Sequence, residues 1–110
     1  MKNIRAKRET SREYLMKLMY QTYISNGDIT DLENEMEEFL QNNKEYIVSR
    51  YKELVLTYSD KDVDFEGLSL EKCVDRVYLN EMCDILRFKI DYINELIENN
   101  AKNWSINRFS

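Results

Sequence analysis

A chain of 110 residues with no proline and only two glycines has almost nothing with which to interrupt a helix. Proline removes a backbone donor and glycine loosens the backbone, so their near-absence favours long helical stretches and leaves turns to be made by caps. The apolar fraction of 43% and the charged fraction of 34% are those of a folded domain, not of a disordered or collagen-like chain. No apolar run approaches the roughly 18 residues of a membrane span, and the basic start lacks the apolar stretch of a signal peptide. The expectation is one all-α domain in the cytoplasm, with no membrane association.

Histidine is absent and the only cysteines are Cys73 and Cys83. That removes most zinc sites, the serine and cysteine nucleophile systems that rely on histidine, and the commonest general base. On one helix the two cysteines would stand about 15 Å apart along the axis, too far for a disulfide. Both are read as reduced structural thiols. No catalytic residue, metal ligand or cofactor site is expected, and the chain is read as a non-enzyme.

The net charge of −5 conceals a split. Residues 1–23 hold six basic residues against Glu9 and Glu13, a balance of +4, while residues 24–110 carry a balance of −9. Local cation density within a Debye length of about 8 Å governs contact with a polyanion. The basic leader is therefore a candidate docking surface; the alternative is a solvated terminus that only aids solubility.

The spacing predicts a first helix over about 11–25, opened by a capping box at Thr10–Glu13 and closed at Asn26-Gly27. Leu15, Leu18, Met19 and Thr22 form its stripe, with Met16, Tyr20 and Tyr23 alongside. A second capping box at Thr30–Glu33 opens a helix with Leu32, Met36, Phe39 and Leu40 inward. A third runs over 44–58, with Ile47, Tyr51, Leu54, Val55 and Tyr58 inward. The Asp60–Asp64 loop fails the calcium-loop register, since Lys72 occupies the position of the bidentate glutamate. From Ser69, an unbroken helix is expected from Leu70 to about Asn100, some 45 Å long. Its inward residues would be Val74, Val77, Tyr78, Ile85, Leu86, Ile93, Leu96 and Ile97, beside Cys73 and Met82.

Two segments carry a likeness. Ser11-Arg12-Glu13-Tyr14-Leu15-Met16-Lys17-Leu18-Met19-Tyr20-Gln21, preceded by basic residues, resembles the first helix of the NusB family of bacterial transcription antitermination factors. Ile93-Asn94-Glu95-Leu96-Ile97, running on to Asn103-Trp104-Ser105-Ile106-Asn107-Arg108-Phe109, is similar to that family's Ile-Asp-x-x-Ile and Asn-Trp-Ser-x-x-Arg-Leu. Asn94 stands where the family has aspartate, and 44–69 looks like an added helix and loop. The family continues with Lys-Val-Asp-Arg and further helices where this sequence ends. The likeness thus implies an all-α, NusB-like bundle of about four to five helices with its second subdomain truncated. The single domain would comprise a basic arm at 1–10, a first bundle over about 11–100 and the start of a second at 101–110.

The same likeness implies a non-catalytic factor that binds single-stranded, boxA-like ribosomal RNA leader. Its implied partners are the small-subunit ribosomal protein NusE and the transcription elongation complex. Arg5, Lys7, Arg8, Arg12 and Lys17 are the candidate RNA-binding residues, because guanidinium groups neutralise phosphates and stack on unpaired bases. Arg8 and Arg12 are four apart, whereas Arg12 and Lys17 cannot share one narrow stripe. Tyr20 or Tyr23 is a stacking platform or a core residue; Trp104 an interface anchor or a local pin; Arg108 a partner of Glu95 or Glu98, or an RNA contact. The competing reading is a helical interaction scaffold that has lost RNA binding and forms a homodimer through helices left without partners.

Overall fold

The computed structural model describes residues 4–27, 29, 32–58, 65 and 67–104. Helix α1 spans Ile4–Asn26, α2 Leu32–Asn42 and α3 Lys44–Tyr58. Then come a single turn, α4 (Leu70–Cys73), α5 (Arg76–Phe88) and α6 (Ile90–Trp104). The all-α expectation holds among the described residues, with six helices in place of four or five.

Helix α1 starts seven residues before the expected position, and the first capping box does not form. Thr10 and Ser11 are fully buried inside the helix, their hydroxyls donating to the carbonyls of Ala6 at 2.7 Å and Lys7 at 2.8 Å. Good helix formers at Arg5, Ala6, Lys7 and Arg8 carry the helix backwards. Burial of Ala6 and Thr10, four apart, rewards that extension. The far end stops as expected: Gly27 adopts φ 83° and its amide donates to the Tyr23 carbonyl at 2.7 Å.

Helices α2 and α3 match their expected bounds, and their faces match except at Tyr58, which is half-buried at the rim of the core. Leu32, Met36, Phe39 and Leu40 are buried on α2, and Ile47, Tyr51, Leu54 and Val55 on α3. Asn43 joins them, its side-chain amide donating to the Phe39 carbonyl at 2.8 Å. The Thr30–Asp31 capping pair, the Asp60–Asp64 loop, the Trp104 side chain and Arg108 lie outside the described residues.

The long helix is not one helix. Val74 turns extended (φ −122°, ψ 148°), and Asp75 caps α5 by accepting from the Tyr78 amide at 3.0 Å. A second break falls at Lys89. Ser69 precedes α4 without a side-chain capping bond. These breaks rotate α5 away from the expected register. Leu79, Cys83 and Leu86 point inward, while Val77 is 66% and Ile85 48% exposed. Cys73 and Cys83 therefore lie on different helices; both are buried and free, and burial pushes both thiols up.

Helix α1 packs against all five other helices. Ala6, Tyr14, Leu15, Leu18 and Thr22 fill its buried side, and the Thr22 hydroxyl donates to Glu35 on α2 at 2.8 Å. Two distant bonds tie later chain to α1 and to the turn that follows it. The Asp75 amide donates to the Ser11 hydroxyl at 2.7 Å, and Asn94 on α6 accepts from the Ile29 amide at 3.0 Å. Asparagine at 94 thus supplies an acceptor oxygen, the same service an aspartate would give. Leu18 has no exposed surface. Leu18→Ala should lower unfolding stability by about 2–5 kcal/mol in urea titration.

Candidate nucleic-acid interface

Because α1 begins at Ile4, the leading cations sit on a helix. Arg5, Arg8 and Arg12, spaced three and four residues apart, fall within about 60° of one another, rising by about 4.5 and 6 Å. This stripe is exposed but borders the side of α1 that meets α3 and α5. The Arg5 and Arg8 side chains are 69% and 64% exposed. Lys7 projects from the other side and is half-buried, close enough for its charge, with that of Lys52, to act on the Cys73 thiol. Lys17 turns away from the stripe; its ammonium lies 3.4 Å from Glu13 and 4.5 Å from the centre of the Tyr14 ring. Of the five candidates, the fold gathers three and separates two.

Each of the first two arginines meets one carboxylate and one tyrosine. Arg5 lies 3.5 Å from Glu9 and places its guanidinium 4.1 Å from the centre of the Tyr58 ring on α3. The Tyr58 hydroxyl donates to Glu9 at 2.5 Å. Arg8 lies 3.9 Å from Asp75 and 5.9 Å from the centre of the Tyr78 ring on α5. Arg12 makes no ion pair within 4 Å among the described residues. It borders a shallow cleft with Glu9, Glu13, Met16, Arg50 and Leu54.

The pairs do not cancel the stripe. A guanidinium has five N–H donors, and each of these contacts engages one edge. Exposed pairs of this kind contribute about 0–1 kcal/mol and are screened by salt. The arginines therefore keep donors directed outward. The heavily paired cations are other residues: Arg50 bridges Glu13 and Glu53, and Arg76 bridges Glu37 and Glu71. Arg87 pairs with Glu33.

Tyr20 and Tyr23, the tyrosines singled out as stacking platforms, are half-buried on the second half of α1. Tyr20 lines an open apolar surface with Met16 and Ile24, which are 64% and 67% exposed. Tyr58 and Tyr78 are the aromatics that border the arginines, and their sequence spacing gives no sign of it. Their place depends on how α3 and α5 flank α1. Among the described residues no group of three histidine, cysteine or acidic side chains is placed to hold a metal ion. No described helix is long and apolar enough to cross a membrane.

The Glu9 carboxyl is held below its ordinary range, first by the Tyr58 hydroxyl and then by Arg5. Its contribution to stability is therefore present above the unfolded carboxyl pKa and lost as pH falls through the lower, folded value. Side-chain NMR should show Glu9 titrating with a midpoint below about 4.3. Tyr58→Phe should move that midpoint upward; no movement would show that the hydroxyl does not hold the carboxylate.

Comparison with known proteins places the chain beside one set of relatives. It is 34% identical over 103 residues to the transcription antitermination protein NusB of Clostridium botulinum strain Hall, and equally to that of strain Okra. It is 33% identical over 103 residues to the NusB of strain Loch Maree. These matches take in 94% of this chain, and the chain spans about 62% of the length of the first two relatives. No family model matches the chain, and no solved structure matches it. The chain resembles NusB over nearly all of its own length.

Proposed function

From that NusB-like character we propose that this chain belongs to the NusB family and acts as a non-catalytic transcription antitermination factor in the cytoplasm. Its ligand is single-stranded RNA of the boxA type from the ribosomal RNA leader. Its partners are the ribosomal protein NusE and the elongation complex, by likeness to the family. The observation that carries the RNA reading is the outward stripe of Arg5, Arg8 and Arg12 on a helix that resembles the family's first helix. Lys7 and Lys17 contribute only to the surrounding positive field.

Three phosphate contacts on a single strand give a slope of about −2 in log affinity against log salt. Fluorescence anisotropy with a short labelled single strand should show that dependence. Arg8→Gln with Arg12→Gln should weaken binding at least tenfold and flatten the slope by about 1.4. Binding unchanged in the double variant, or none by the native protein at low salt, would end this reading.

A second reading, an interaction scaffold, is favoured by a different surface. Val77, Ile85, Phe88 and Tyr92 on α5 and α6 are large, apolar and exposed, Phe88 at 92%. Glu81 and Lys89 lie four residues either side of Ile85. An antiparallel two-fold contact centred there would set each Glu81 against the Lys89 of a second copy. On this reading light scattering at micromolar concentration gives a dimer mass, and Phe88→Asp returns it to the monomer. A native monomer would dismiss it.

A further inference from the structure

Glu9 and Asp75, the carboxylates beside Arg5 and Arg8, share one property. Each is fixed by a bond that does not involve its arginine. Glu9 accepts from the Tyr58 hydroxyl at 2.5 Å. Asp75 accepts from the Tyr78 amide at 3.0 Å as the cap of α5, and its own amide donates to Ser11 at 2.7 Å. When Arg5 or Arg8 turns outward to a phosphate, the carboxylate stays behind and its charge remains beside the incoming anion. We propose that Glu9 and Asp75 act as built-in competitors of phosphate, making the α1 arginine stripe selective for unpaired strands over duplexes. This rests on the RNA reading above and deepens it.

The selectivity follows from what each ligand can offer in return. A duplex carries its phosphates at about twice the axial charge density of one strand and keeps its base faces stacked inside, so the two carboxylates repel it more strongly than they repel a single strand. A single strand presents phosphates and free base faces together. The Tyr58 ring, covered by the Arg5 guanidinium at 4.1 Å, becomes a stacking surface once Arg5 swings outward. Tyr78 stands in the same relation to Arg8 at 5.9 Å. A strand that engages arginine and tyrosine together offsets the lost ion pair; one that engages phosphate alone does not. Glu9 and Asp75 are thus specificity-determining residues, and Tyr58 and Tyr78 are where the unpaired bases dock.

The test uses Glu9→Gln, which keeps an acceptor for Tyr58 while removing the charge; Asp75 is left intact because it caps α5. The probes are a twelve-nucleotide single-stranded RNA and the duplex formed with its complement, each titrated against the native protein, Glu9→Gln and Tyr58→Leu. Removing the charge should tighten duplex binding about two- to five-fold, the scale of one exposed ion pair. It should tighten single-strand binding less, so that the preference for single strands shrinks. Tyr58→Leu, which removes both the stacking ring and the hydroxyl that fixes Glu9, should weaken single-strand binding without weakening duplex binding. A preference unaltered by Glu9→Gln in a protein that does bind single strands overturns this inference alone. A native protein that binds neither probe overturns the RNA reading. In that case, elution of Glu9→Gln from heparin at higher salt than the native chain still supports the competing carboxylate, and unchanged elution removes it too.

Discussion

Helix α1 is the one element that every other helix touches, and its packing governs the rest of the molecule. A helix in that position must bury a broad side while remaining free of uncompensated polar groups. Small residues meet both demands. Ala6, Thr10 and Ser11 let neighbouring backbone come close, and the two hydroxyls return their protons to carbonyls of the preceding turn. Ser11 also receives the amide of Asp75, so one buried hydroxyl both closes its own hydrogen bonds and fixes where α5 starts. The side of the hub helix that its neighbours leave uncovered carries the arginines.

The parts of the fold legible in the sequence are those where local pattern and tertiary packing agree. On α2 and α3 the apolar residues recur at helical spacing, and those residues are the buried ones. Where the two disagree, packing prevails. Thr10-Ser11-Arg12-Glu13 has the chemistry of a helix start, yet burial of Ala6 and Thr10 draws the helix through it. The stretch from Leu70 to Asn100 has enough apolar residues to sustain more than one helical register. The capping strength of Asp75 decides between them by breaking the stretch. One error leads to the next: with α5 taken as continuous with α4, Val77 and Ile85 face inward on paper and Leu79 and Cys83 are overlooked.

The candidate interface was legible to the same degree and for the same reason. Cation density at the front of the chain marks the region. Only the true helix start puts Arg5 in line with Arg8 and Arg12 and turns Lys7 toward the interior. Tyr58 and Tyr78 are separated from the arginines by tens of residues, and no periodicity within one helix could bring them in. An acidic body and a cationic helix are compatible because the surface pairs are weak. The strongest charge networks are built around other arginines, Arg76 and Arg50, the latter sharing a cleft with Arg12 without pairing with it.

The bond between Ile29 and Asn94 spans 65 residues, and with the Ser11–Asp75 bond it sets a timetable for a growing polypeptide. The hub is translated before the helices it packs against, and the last of those partners leave the ribosome dozens of codons later. At about 5–20 residues per second that delay amounts to seconds, during which nascent α1 stands beside ribosomal RNA without its docking neighbours. The contact between Arg5 and Glu9 lies within a single turn, so it needs no later chain and forms as soon as α1 winds. The arginine helix thereby carries its own partial neutralisation from birth, before the rest of the protein exists to restrain it.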